Sequence, residues 1–139
     1  MTVGEMMTKD LITCSPDETL AQAAQKMASG DIGCCPVVEN DQLVGVITDR
    51  DITVRAVARG LDPNSQHVRD MMSTNLVTAT PDMSVEDACR LMMDYQVRRL
   101  PVVEGNRLVG MVSLADLAID LEEEEMVAEV VEKVSMPAR

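Results

Sequence analysis

Apolar residues recur at helical spacing twice along this chain, in two runs 65 residues apart. Leu20, Ala23, Ala24, Met27 and Ala28 follow the i, i+3, i+4, i+7, i+8 stripe of an amphipathic helix, and Val85, Ala88, Cys89, Met92 and Met93 repeat it. Thr19 with Gln22 and Ser84 with Asp87 have the spacing of capping boxes at the two helix starts. Ahead of each helix lie a short apolar turn (Val3, Met6, Met7; Val68, Met71, Met72) and a brief extended segment, residues 11–14 and 76–79, stopped by Ser-Pro or Thr-Pro. After each helix, PVVEND and PVVEGN separate two apolar runs with a polar turn, which predicts a β-hairpin. A second helix follows each hairpin. After the first hairpin it runs over residues 52–58 and is broken by Gly60 and LDPNSQ.

The unit is therefore β-α-β-β-α, twice. Residues 3–52 align with 68–117 without a gap, and 17 of the 50 positions are identical. Two copies predict a pseudo-twofold pair, since a solenoid needs at least three repeats. The expected fold is α/β, divided into residues 1–60 (repeat 1 with its linker helix), 61–121 (repeat 2) and 122–139 (an acidic helical tail). In the tail, Leu114, Leu117, Ala118 and Leu121 make one stripe and Val127, Val130, Val131 and Val134 another, out of phase. The acidic run at 122–125 between them reads as a solvated face with a bend, or as an acidic docking surface.

Composition narrows the function. The chain has no Phe or Trp, a single Tyr (Tyr95) and 12 Met, so the core must be aliphatic and thioether. A net charge of -12 and the lack of stacking rings count against nucleic-acid binding. No leader or membrane-spanning run is read. Cys14, Cys34, Cys35 and Cys89 form no CxxC pair, and His67 is the one histidine, so no metal site is read and the thiols fit a reducing cytoplasm. There is no nucleophile–base arrangement, so an enzyme is not expected.

Each second strand runs into the same skeleton, GVITDRDI at 45–52 and GMVSLADL at 110–117. Thr48 with Asp51, and Ser113 with Asp116, match a capping box, which explains both residue types without a ligand. The same groups also suit a ribose phosphate. Helix-terminal amides and a hydroxyl can hold phosphate, a carboxylate one turn on can hold ribose hydroxyls, and Gly45 and Gly110 would let a ligand approach the strand.

These motifs, with the paired PVV strands and VxxMM turns, resemble tandem CBS domains, named from cystathionine β-synthase, over about residues 1–120. The resemblance implies two repeats packed as one pseudo-twofold module, with clefts between the repeats that hold AMP, ADP, ATP, S-adenosylmethionine or a dinucleotide. It implies that Asp51 and Asp116 hold ribose while Thr48 and Ser113 touch ribose or phosphate. It places adenine beside Ile12, Thr13, Cys35 and Pro36 in one cleft, and beside Val77, Thr78, Leu100 and Pro101 in the other. The family often carries a basic residue ahead of the PVV strand. Arg98 and Arg99 stand there in repeat 2, but Gly33 and Cys34 in repeat 1, where Arg50 could supply charge.

The function so implied is regulatory sensing of an adenosine compound, with output to a partner protein in trans or through the tail, no obligatory cofactor, and a cytoplasmic location. A twofold homodimer is expected through residues 52–58 and the Leu114, Leu117, Ala118, Leu121 stripe. The alternative is a ligand-free interaction scaffold in which the hydroxyl–carboxylate pairs are caps alone.

Overall fold

A computed structural model describes residues 1–118 and 124–136, with backbone alone for 124–127. In chain order the elements are α1 (Val3–Met6), α2 (Leu20–Gly30), β1 (Cys34–Glu39), β2 (Gln42–Thr48) and α3 (Asp49–Asp51). After α3 the chain widens into a π turn (Ile52–Ala56) and tightens into a 3-10 turn (Val57–Arg59). Then come α4 (Val68–Met71), α5 (Val85–Tyr95), β3 (Arg99–Glu104), β4 (Arg107–Ser113), α6 (Leu114–Ala118) and α7 (Glu124–Val134). The α/β class and the repeated helix–hairpin–helix order stand. Each leading strand is reduced to a single parallel bridge, Cys14 to Val37 and Ala79 to Val102, because Pro16 and Pro81 follow so closely. No described helix is long and apolar enough to cross a membrane.

The chain divides into two compact units that do not follow the repeat boundaries. One comprises residues 12–76, the other residues 1–11 and 77–139. Each repeat's opening turn therefore belongs to the unit built on the other repeat. In the unit of residues 12–76, α4 is anchored by Val68 N–H to Glu18 O (2.9 Å) and Arg69 N–H to Pro16 O (3.0 Å). In the other unit α1 is anchored by Val3 N–H to Met83 O and Gly4 N–H to Pro81 O, both 2.8 Å. Val3 and Val68, which head the two turns, are fully buried.

Each unit closes an aliphatic core. Leu20, Ala23, Val37, Ile47 and Val68 are fully buried in one, and Val85, Met92, Leu100, Val102 and Leu117 almost entirely in the other. The helix starts behave as their spacing predicts. Thr19 and Gln22 form a reciprocal box, while Ser84 accepts the Asp87 N–H and the Asp87 carboxylate turns to Arg90. Hairpin β1–β2 is antiparallel with a bulge between Val37 and Val38, and hairpin β3–β4 repeats that register with its bulge between Val102 and Val103. Asn40 and Asp41 both adopt positive φ, the primed turn that suits a two-residue hairpin.

The motif glycines do something other than the sequence suggested. A Cβ on Gly45 would lie 2.6 Å from Met72 Sδ and 3.1 Å from Ser73 O, and one on Gly110 would lie 2.5 Å from Met7 Sδ and 3.1 Å from Thr8 O. Those residues follow the opening turns. Ser73 exchanges two backbone hydrogen bonds with Val46, as Thr8 does with Met111. The glycines make room for protein chain, not for a ligand.

One further expectation changes. Leu117 and Ala56 are fully buried in their own units' cores and Ile52 nearly so, which leaves Val54 and Val57 as the large exposed apolar residues of the 52–58 segment. In the tail, α6 is described to Ala118 and α7 from Glu124, and the bend expected near the glutamates falls between them, outside the described residues. Leu121, Glu122 and Glu123, and with them the boundary drawn at 121/122, lie outside the described residues.

Candidate functional site

In both units the hairpin ends in the same cap. Thr48 Oγ1 accepts the Asp51 N–H and Asp51 Oδ2 accepts the Thr48 N–H, each at 3.0 Å. Ser113 Oγ accepts the Asp116 N–H at 3.2 Å, and Asp116 Oδ2 accepts the Ser113 N–H at 3.0 Å. Both carboxylates are half-buried, and each commits Oδ2 to its cap. The next backbone bond also repeats: Asp49 N–H donates to Gly33 O (2.9 Å) and Leu114 N–H to Arg98 O (2.8 Å), which ties each site to the residue ahead of its PVV strand.

Around these matching caps the charges differ. Asp51 Oδ1 lies 3.7 Å from Arg55 Nε, and Arg55 is held in place by an Nη1 donation to Met71 O at 3.1 Å. The residue 65 positions after Arg55 is Asp120, so repeat 2 lacks that cation. The Asp49 carboxylate lies over Gly33, its Oδ2 only 2.8 Å from where a Cβ would stand. Leu114 and Arg98 occupy the matching positions in repeat 2. The first site sets two carboxylates, Asp49 and Asp51, against Arg55, with Arg50 exposed nearby in sequence; the second sets one carboxylate, Asp116, beside Arg98 and Arg99. A phosphate would be attracted more strongly at the second than at the first.

A cavity of about 520 Å³ opens at the repeat-2 site, lined by Arg98, Arg99, Ser113, Leu114, Ala115 and Ala118, by Val131 and Val134 of α7, and by Ser135 just after it. Its size suits a small molecule. The cavity unites three of the expected residues, Arg98, Arg99 and Ser113. Asp116, one turn along from Ser113, is not among the lining residues, nor are Val77, Thr78, Leu100 and Pro101. The Leu100 side chain is fully buried in the core and the Pro101 carbonyl accepts the Ala79 N–H.

The expected adenine contacts of repeat 1 are also partly engaged elsewhere. Thr13 O accepts Lys26 Nζ at 2.8 Å, and Pro36 O accepts the Cys14 N–H at 2.9 Å. Ile12 is exposed and lines a separate depression of about 400 Å³ with Glu18, Gln22, Gln25, Lys26 and Ser29. Cys35 is fully buried, and its thiol is hydrogen-bonded to that of Cys14. That bond lowers the Cys35 pKa and, together with burial, raises that of Cys14. Burial, then the nearby Glu86 charge, pushes Cys89 up to about 11. These three thiols are core groups. His67 is exposed at the start of α4, and among the described residues no cluster of three or more His, Cys, Asp or Glu could hold a metal.

Sequence reasoning passed over three contributors. Arg55 had a readable signal, its i+4 spacing from Asp51. Asp49 over Gly33 had a weaker one, the mismatch of both positions with repeat 2. The α7 residues had none, because periodicity marks a face without naming what it covers.

Comparison with known proteins agrees with this geometry. The CBS domain model matches residues 3–57 and 68–123. The CBS domain-containing protein YhcV of Bacillus subtilis is 47% identical over 118 residues, 85% of this chain and 84% of that protein. The crystal structure of Hypoxic Response Protein I with two coordinated zinc ions superposes with a TM-score of 0.79 at 36% identity, covering 87% of this chain and 99% of that one; the protein of that name in the sequence comparison is from Mycobacterium tuberculosis. The CBS domain pair of protein MJ0100, in complex with 5'-methylthioadenosine and S-adenosyl-L-methionine, superposes with a TM-score of 0.74 at 29% identity, covering 86% of this chain and 94% of that one. The chain belongs to the CBS domain family and carries two copies of the domain.

Proposed function

We propose that this chain is a regulatory module of the cytoplasm that binds an adenosine compound and passes the signal to a partner protein in trans. The observation that carries the reading is the cavity beside the Ser113–Asp116 cap. It joins two guanidinium groups and a hydroxyl at one mouth, with a carboxylate one turn away. Arg98 and Arg99 would take phosphate oxygens, Ser113 would touch phosphate or ribose, and Asp116 Oδ1 would accept from ribose hydroxyls while Oδ2 keeps the cap. In repeat 1 the Thr48–Asp51 pair would serve an uncharged or sulfonium adenosine compound better than a nucleotide, given Asp49 over Gly33. That the related pair of MJ0100 carries both a neutral and a sulfonium adenosine compound supports the ligand class. The ligand would act by favouring one conformational state.

A second reading has its own observation. Both hydroxyl–carboxylate pairs are already satisfied as caps, so a ligand-free scaffold needs nothing added. Thermal melts separate the two. A ligand at about 100 times its Kd adds roughly 2.7 kcal/mol, which for a chain of this size raises Tm by roughly 5–15 °C. AMP or ATP should give such a shift and adenosine a smaller one. Arg98→Ala with Arg99→Ala should reduce the nucleotide shift toward the adenosine value, and Asp116→Ala should remove most of it. If no adenosine compound moves the melt, the scaffold reading replaces this one.

A further inference from the structure

We propose that the C-terminal helix α7 is one wall of the nucleotide cavity, so that ligand binding and docking of α7 are a single linked equilibrium. The inference rests on the adenosine-binding reading above and extends it to residues outside the repeats.

The geometry has three parts. First, the 520 Å³ cavity is lined by Arg98, Arg99 and Ser113 together with Ala118 of α6, Val131 of α7 and Ser135 just after it. A molecule held by the arginines would lie against α7, and the Ser135 hydroxyl offers it a donor or acceptor. The small Ala115 and Ala118 side chains keep that space open.

Second, among its described side chains α7 buries Val130 and Val134, at 1% and 5% exposure, in the core that holds Cys89, Met92 and Leu117. The neighbouring Val131 is 49% exposed.

Third, α7 is poorly filled on its other flank as well. A second void, of about 600 Å³, lies between the end of α5 (Arg90, Met93, Asp94, Gln96) and Glu129, Lys133 and Met136. Open depressions thus flank the described side chains of α7 on two faces, so fewer atoms pack against it there than against a core helix. It belongs to the low-stability end of the structure, from which moving elements are drawn.

A ligand that touches α7 only when the helix is docked must favour docking, and docking must raise the ligand's affinity by the same factor. The helix at the end of the described chain would then report occupancy. That gives the module an output element: away from the cavity α7 is exposed along Ala128, Glu129 and Glu132, the face a partner could read.

The test is hydrogen exchange of the full chain with and without AMP at a concentration that saturates its melt shift, joined to AMP titrations of two variants. Amides of residues 128–135 should slow by at least about fivefold, the lower end of typical coupling factors, with a smaller change in α5. Val130→Asp, which loosens α7 without lining the cavity, and Ser135→Ala, which leaves the core alone, should both weaken AMP binding. Unchanged exchange in α7 at saturating AMP would overturn the proposal, as would wild-type AMP affinity in both variants. Failure of the underlying reading looks different: no adenosine compound shifts the wild-type melt, and both inferences fall together.

Discussion

Replacing Gly45 with Ala tests why the motif begins with glycine. The added Cβ would stand 2.6 Å from Met72 Sδ, 3.0 Å from Met72 Cγ and 3.1 Å from Ser73 O. The thioether can swing aside, but the carbonyl is fixed, because it accepts the Val46 N–H at 3.0 Å while Ser73 N–H donates back at 2.9 Å. Overpacking of this kind costs roughly 1–3 kcal/mol. Against that, Ala restricts the unfolded chain and returns about 0.4–1 kcal/mol. The net expectation is a loss of roughly 1–2 kcal/mol, or a Tm lower by about 3–10 °C. Met72→Ala alone removes a half-buried thioether and should also destabilise. Made together, the two changes should cost less than their sum by at least about 0.5 kcal/mol, since each relieves the other. Urea unfolding followed by circular dichroism, over all four corners of the cycle, gives these numbers. Additivity within error, or a neutral Gly45→Ala, would refute the claim that the glycine makes room for the opening segment. Gly110→Ala with Met7→Ala supplies the same test in the other unit.

The Glu18–Lys26 pair (2.7 Å) predicts a pH dependence. Burial opposes the Glu18 charge, but hydrogen bonds from Lys26 and the Ser15 N–H outweigh it and hold the carboxyl below its ordinary value of 4.5. Its stabilisation is therefore present above pH 4.5 and is lost as pH falls through the lower folded value. Lys26→Met should flatten the acid side of the Tm profile, by about 1 kcal/mol or less for a pair this exposed. Val54 and Val57, 48% and 57% exposed beside buried Ile52 and Ala56, predict a twofold homodimer. Light scattering at micromolar concentration should give a dimer mass for the wild type and a monomer mass for Val54→Glu with Val57→Glu; a monomeric wild type refutes it.

What was legible in the sequence was what depends on neighbours along the chain. The α2 and α5 stripes, the Thr19 and Thr48 boxes, the hairpin turns and the Gly60 stop each rest on residues within a few positions of one another. The helix after Thr48 was placed, but its π turn was not, since 3.6-residue periodicity does not show a locally wider helix. What failed depended on partners far away. Gly45 read as an opening for a ligand because nothing in GVITDRDI says that Met72 will lie across it. Leu117 read as an exposed stripe because its core partners, Met92 and Val130, come from other elements. Arg98 and Arg99 were found through the family pattern, whereas the α7 wall opposite them needed coordinates.

The exchange of opening turns bears on how the chain is made. Residues 12–76 are contiguous, so one unit holds all its parts as soon as Leu76 is synthesised. The other cannot be finished until Met1–Leu11, made before residues 12–76, are recaptured by a hairpin translated some 90 residues later. Closing that distance is slow compared with local structure. Until it happens, Val3 has no core to enter, and Met111 has no Thr8 to pair with. A gene cut between the repeats would therefore leave each half carrying the other's opening turn. Moving Met1–Leu11 from before Ile12 to a position after the tail would instead make both units contiguous, and should shorten the wait.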